Sequence, residues 1–293
     1  MDFHGLLERA ALVVGDGAMG TELMAHGLPA GHPGEMWNVE RPDVVEDIQR
    51  LYVEAGADYL LTNTFGANPA ALARHGLTDL TEELNRRGVE IARRAAGKRA
   101  VVIGDMSSTG MLLEPYGPLS AMAARKAFAR QAAALADAGA DAILCETFES
   151  AAELRVALQG ARDACKLPRI ASMTFRPEAS GRYRSMMGEG PETLVAVAHD
   201  CGCTVVGTNC GQGIRTMPEL VRAIAALTEL PVIVQPNAGL PRLVDGTAVY
   251  QEDPAVFTEY VPAVYEAGAR LIGGCDGTTA EHVRVVRRFA DAL

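Results

Sequence analysis

The sequence predicts an α/β fold, a single (β/α)8 barrel of the TIM type over residues 1–293, with its site at the C-terminal ends of the strands. Three observations predict it. Eight short apolar runs recur along the chain, each ending in small or polar residues and each followed by a helical stretch. Such alternation implies a parallel sheet. The tripeptide Ala-Gly-Ala stands before a strand three times, at 55–57, 138–140 and 267–269. Its Gly ends a helix in the left-handed conformation, and the next strand follows at once. The length of 293 residues sits just above the roughly 250 of an ordinary barrel. No linker or low-complexity segment interrupts the repeat, so the chain reads as one domain.

The predicted strands are Leu12–Gly15, Tyr59–Thr62, Ala100–Gly104, Ala142–Cys145, Ile170–Thr174, Val205–Thr208, Val232–Gln235 and Arg270–Gly273. Between them, Asp43–Glu54, Thr81–Ala96, Ser120–Ala138 and Pro218–Leu230 carry apolar residues at three- and four-residue spacing and read as helices. The stretch Gly27–Pro42 is rich in Gly and Pro and holds the only tryptophan, Trp37. It reads as a long loop at the mouth of the barrel, either a substrate lid or an ordinary loop around one packed indole.

Hydrophobic residues make up 48% of the chain, charged residues 22% and aromatics only 5%. That mix suits short buried strands wrapped by Ala-rich helices. The formal net charge of −10 repels phosphate backbones and argues against a nucleic-acid partner. No apolar run reaches the roughly 18 residues of a membrane span. Residues 1–20 lack the apolar core of a signal peptide. The expectation is a soluble, cytoplasmic protein with no membrane partner. Its six cysteines then read as buried thiols or metal ligands rather than disulfides.

In a barrel, the strand ends converge on one mouth. Asp16, Thr62-Asn63-Thr64, Asp105, Glu146-Thr147, Met173-Thr174, Asn209-Cys210, Gln235 with Asn237, and Cys275-Asp276 collect there. A packed core would prefer Val or Ile at such positions, and so many carboxylates, amides and thiols together mark a site. Cys210 and Cys275 are flanked by glycines, which let the backbone turn a thiolate inward. Zinc takes N, S and O ligands and, in catalytic sites, keeps one position open. Cys210, Cys275 and Asp276 would supply three ligands and leave the fourth for substrate. Asp105 and Asn237 are expected to support this site from behind. Cys145 should face the helices as a packing thiol. Cys201 and Cys203 read as buried thiols at the opposite end of the barrel, and His282 as an exposed or capping residue. The run Arg182–Gly188 is either an ordinary loop or a surface adapted to a particular substrate.

Seven ordered motifs carry a family resemblance: Asp16-Gly17-Ala18-Met19-Gly20-Thr21-Glu22, Thr62-Asn63-Thr64-Phe65-Gly66-Ala67-Asn68, Cys145-Glu146-Thr147-Phe148, Ser172-Met173-Thr174-Phe175, Gly207-Thr208-Asn209-Cys210, Gln235-Pro236-Asn237-Ala238-Gly239, and Gly273-Gly274-Cys275 followed by Gly277-Thr278-Thr279. Over nearly its whole length the chain resembles the homocysteine S-methyltransferases, most of all the homocysteine-binding barrel of cobalamin-dependent methionine synthase. The resemblance implies a zinc ion (Zn2+) and a small thiol substrate such as homocysteine. By matching position, Asp16 and Glu146 would hold the substrate ammonium. Backbone amides around Gly17 and Ala18, and near Ser172 and Met173, would hold its carboxylate. Asn237 would join this substrate set, and Cys210 and Cys275 fall on two of the family's three zinc ligands.

The family's third ligand is a second cysteine directly after Gly-Gly-Cys, and here Asp276 stands in its place. Formal charge is unchanged, but the carboxylate donates less electron density and leaves zinc a stronger Lewis acid. Three readings follow: methylation of a thiol, homocysteine to methionine; transfer of methyl from a small methylated substrate to a corrinoid protein; and a metal-free binding or regulatory barrel. No Asp-x-His-x-x-Gly corrinoid motif is present. The implied donor is therefore a small methyl compound or a methyl-corrinoid on a separate protein.

Overall fold

The repeated apolar runs fold into a closed ring of strands whose two ends are joined by aspartates. A computed structural model describes residues 2–244 and 247–293. Its strands are β1 (Val13–Val14), β2 (Tyr59–Leu61), β3 (Val101–Met106), β4 (Ala142–Phe148), β5 (Arg169–Met173), β6 (Arg176–Pro177), β7 (Tyr183–Arg184), β8 (Val205–Gly213), β9 (Val232–Asn237), β10 (Arg242–Val244), β11 (Thr247–Val249) and β12 (Ala269–Ile272). Eight of them form a sheet in the order β1-β12-β9-β8-β5-β4-β3-β2, every neighbour parallel. The other four form two antiparallel hairpins, β6–β7 and β10–β11, which the sequence pattern did not announce.

The sheet ends at β1 and β2, and side chains bridge that seam. Asp58 accepts the Val14 N–H at 2.8 Å and returns its own N–H to the Val14 carbonyl at 2.7 Å. Asp16 accepts the Leu61 N–H at 2.7 Å. Arg287, on the last helix, pairs with Asp58 at 3.2 Å.

Strand alternation sorts the core into two shells. Val13, Tyr59, Val101, Ile103, Ala142, Leu144, Ile170, Val205, Ile233 and Leu271 form one cluster, the barrel interior. Their neighbours in sequence pack outward against the helices. The interior cluster also contains Phe3 and Leu6 from a helix, Phe3–Arg9, that the sequence reading did not include. Asp2 caps it by accepting the Gly5 N–H at 2.9 Å, and its apolar face plugs the barrel floor.

The outer helices run Pro42–Glu54, Thr81–Ala96, Ala121–Asp137, Ala151–Ala164, Pro191–Asp200, Met217–Ala225, Pro254–Glu266 and Ala280–Ala290. Gly56, Gly139 and Gly268 all have positive φ, so the Ala-Gly-Ala device ends its helices as predicted. The helix expected to reach Leu230 stops at Ala225. Pro231 biases the preceding residue away from helix, and Thr228 Oγ1 takes the Leu230 N–H at 3.1 Å. Residues 27–42 are exposed or half-buried and are anchored at two buried residues: Trp37 lies under the Arg41 guanidinium, and Asn38 donates to the Asn63 and Leu84 carbonyls. Among the described residues, no helix is long and apolar enough to cross a membrane.

Candidate active site

Continuing the interior alternation by one layer brings Asp105, Glu146, Ser172, Asn209 and Gln235 to the mouth. Beneath them the barrel narrows around Tyr59. A Cβ on Gly15 would lie 2.3 Å from the Tyr59 hydroxyl, so glycine there makes room for the phenol. That hydroxyl is buried and has no partner.

A group of buried carboxylates stands above this floor. Asp16 Oδ2 holds the Leu61 N–H, while Asp16 Oδ1, Glu146 Oε2 and Asp105 Oδ1 are buried without a partner. Gln235 Oε1 and Asn237 Oδ1 share that condition. Buried polar atoms are ordinarily satisfied, and an ionised carboxylate only accepts, so this set calls for a donor-rich cation. Burial pushes the Asp16 carboxyl up to about 8. Burial, then the charges of Asp16 and Glu35, raises Asp105 well above the usual carboxylate range. Glu146 is raised in the same way, by burial and then by Asp105. Asp105 therefore sits in the field of the carboxylates.

Cys210, Cys275 and Asp276 bring two sulfurs and a carboxylate oxygen within 4.8 Å of one another. Simple alternation from Val205 would turn Cys210 outward. Instead, β8 gains two residues over β9 between Asn209 and Gly213, and Cys210 adopts φ 59°. Such a bulge re-aims a side chain. A similar bulge on β4, one residue longer than β5 between Cys145 and Phe148, contains Glu146 and Thr147, the latter at φ 58°. Left-handed backbone at a non-glycine residue costs about 1–3 kcal/mol and collects at functional sites.

The Cys210 thiol is lowered to about 7, chiefly by the hydrogen bond from Cys275, with help from the Gly211 N–H and the Asn237 amide against the cost of burial. The same hydrogen bond and burial push Cys275 up. Tyr250 packs on Gly277, and burial beside Asp276 pushes its phenol up to about 12, so it stays protonated. Tetrahedral zinc with Zn–S near 2.3 Å separates its ligands by about 3.8 Å. A set spanning at most 4.8 Å closes on such an ion by small side-chain motion. Two sulfurs and one oxygen also fit its ligand chemistry.

Gly17 packs on the Tyr52 ring, and the Ala18 N–H is bonded to Thr278 Oγ1 at 3.1 Å. Ser172 donates to Asn209, whereas the Met173 side chain lies in the helix-side core. Cys145, Cys201 and Cys203 also pack in that outer core. His282 caps the helix Ala280–Ala290 and bonds the Glu252 carbonyl. Within Arg182–Gly188, Tyr183 and Arg184 form β7 of a hairpin, and Met186 is exposed. Sequence reasoning gave no role to Tyr59, Tyr250 or the Asn209 side chain. The signal for Tyr59 was a bulky polar ring at a strand position facing small residues.

The family model described as homocysteine S-methyltransferase matches residues 13–290. The chain is 36% identical over 301 residues to the methionine synthase of Mycobacterium leprae (strain TN), covering 96% of this chain and 24% of that protein. It is likewise 36% identical over 293 residues to the methionine synthase of Mycobacterium tuberculosis (strain ATCC 25618 / H37Rv), covering 94% and 24%. The chain thus spans about a quarter of the length of these curated relatives. Among solved structures, the metallated form of the homocysteine methyltransferase MmuM from Escherichia coli superposes with a TM-score of 0.79 at 25% identity, covering 97% of this chain and 98% of that one.

Proposed function

The chain belongs to the homocysteine S-methyltransferase family, and from that membership we propose that it methylates the thiol of homocysteine to give methionine, with zinc held by Cys210, Cys275 and Asp276. The observation that carries this reading is the adjacency of two sites in one mouth. A donor set of two thiols and one carboxylate stands beside buried carboxylates whose free oxygens have no partner. An amino acid bearing a thiol has the two ends that these sites would take.

Zinc, when bound, supplies a thiolate at neutral pH from a thiol whose ordinary pKa is about 8.5. Asp16 Oδ1 and Glu146 Oε2 accept the substrate ammonium, which restores them to their ionised forms. The amides around Gly17 and Ala18, and beside Ser172 and Met173, take the carboxylate, with Ala18 exchanging Thr278 for it. Holding both ends fixes the approach of the sulfur, a proximity effect. Asn237, whose amide meets the Cys210 sulfur, keeps that ligand in orientation.

The methyl donor in this reading is a small methylated compound or a methyl-corrinoid on a separate protein. Residues 1–293 act as one domain. Six free cysteines support a reducing cytoplasmic setting. Asp276 favours one alternative, transfer of methyl from a small substrate to a corrinoid protein, because the harder ligand makes zinc a stronger Lewis acid.

The test incubates zinc-loaded protein with homocysteine and either methylcobalamin or S-methylmethionine, and quantifies methionine by mass spectrometry. Methionine formation that a chelator abolishes supports the main reading. Methylation of cob(I)alamin by a small methylated compound, without methionine from either donor, supports the alternative. Neither reaction from a protein that still binds homocysteine would leave a binding barrel.

A further inference from the structure

Thr147 and Cys210 are the only non-glycine residues with positive φ among the described residues. They stand on different strands of the mouth, one directly after Glu146 and the other itself a candidate ligand. For a β-branched threonine such backbone is an outlier that its surroundings must enforce.

A single side chain connects the two. Asn209 Oδ1 accepts the Thr147 N–H at 2.9 Å, and Asn209 Nδ2 donates to Thr147 Oγ1 at 2.6 Å. The same Oδ1 accepts the Ser172 hydroxyl at 2.7 Å. The Asn209 carbonyl accepts the Thr174 hydroxyl at 3.0 Å. Asn209 is completely buried, and its amide closes a two-point ring on Thr147. The bulge on β4 removes Thr147 from the regular β5 ladder, and Asn209 Oδ1 supplies its N–H with an acceptor. On the other side, Asn209 is the last residue of β8 in register with β9 before the turn through Cys210.

We propose that Asn209 is a positioning residue that sets both bulges together, so that the Glu146 carboxylate and the Cys210 thiol face the same cavity. This rests on the zinc and homocysteine reading given above. A side chain with only a donor or only an acceptor cannot make both bonds to Thr147, and aspartate would add a fifth carboxylate to a mouth that already holds Asp16, Asp105, Glu146 and Asp276. Asparagine does both without charge.

The role predicts a pattern that loss of folding does not produce. Zinc affinity is read by competition with a chromophoric chelator, and homocysteine affinity by calorimetry at saturating zinc. Asn209→Ala should lower each by about tenfold or more, as removal of a partner that orients a metal ligand does. Adding Thr147→Gly, which adopts left-handed backbone without enforcement, should restore homocysteine affinity but not zinc affinity. Thr147→Val keeps shape and removes only the hydroxyl. It should weaken homocysteine while sparing zinc, and it serves if Asn209→Ala does not fold. Unchanged affinities in folded Asn209→Ala, or in Thr147→Val, would overturn the proposal. Equal losses with no rescue by glycine would also overturn it. If the wild-type protein binds neither zinc nor homocysteine, the reading of the site fails first, and this proposal with it.

Discussion

Asp16 grips the Leu61 amide with one carboxylate oxygen at 2.7 Å and leaves the other buried and without a partner at the mouth. In the proposed function the two oxygens have separable duties, one to the fold and one to the substrate ammonium. Asp16→Asn can keep the bond to Leu61 while turning an amide donor toward the substrate ammonium. It should fold normally and lose about 10–100-fold in kcat/KM, the range for a hydrogen bond to a charged group. Asp16→Ala should lose activity and also melt at lower temperature. Equal melting temperatures for the two variants would remove the structural duty.

The raised carboxyl of Asp16 gives the ligand-free protein a specific pH dependence. Its value in the fold is about 8 against an ordinary 3.8. Between these values the native state holds a proton that the unfolded chain has released. The stabilising contribution is therefore complete below about pH 4 and lost as pH rises through about 8. Asp105 and Glu146 shift in the same direction. Glu82 and Asp163, lowered by Arg130 and Arg125, act in the opposite direction and only in acid. Thermal melts of the metal-free protein across this range should show a shallower decline for Asp16→Asn than for wild type. Parallel curves would refute the assignment.

Elemental analysis should find one zinc per chain. Asp276→Ala removes a donor from the cluster and should weaken zinc by more than about a hundredfold, beyond what loss of an outer partner costs. Asp276→Cys should retain zinc. A wild-type protein without zinc that gains it with cysteine at 276 would show that this aspartate is not a ligand.

Phe3 fills the barrel floor at 1% exposure, far from the mouth. Phe3→Ala should cost about 3–5 kcal/mol of stability, the usual range for truncating a buried aromatic. Chemical denaturation measures this directly, and zinc affinity below the melting transition should not change. A loss under about 1 kcal/mol would mean that the plug adds little to the core.

The legible parts of the sequence were those written as repeats. Eight apolar runs and three Ala-Gly-Ala stops announced the barrel, since each unit solves the same burial problem. Polar residues at the ends of those runs announced the mouth, and Cys210, Cys275 and Asp276 do converge there. The helix Phe3–Arg9 escaped because its apolar pair acquires meaning only against Val13, Tyr59 and other interior residues brought together by closure. The bulges at Thr147 and Cys210 escaped for a different reason. They arise from mismatched residue counts between neighbouring strands, and threonine is a residue type that argues against left-handed backbone. Without the bulge, Asn209 reads as a strand-end amide.

The seam between β1 and β2 has a consequence for how occupancy is felt through the barrel. Its upper staple is the same carboxylate that the proposed function assigns to the substrate ammonium. A cation drawn to the free oxygen of Asp16 favours the ionised carboxylate, and an ionised acceptor binds the Leu61 amide more strongly than a neutral one. Ligand and closure are thus thermodynamically linked through one side chain. Filling the pocket tightens the ring, and slower exchange of the Leu61 amide hydrogen reports that the pocket is full.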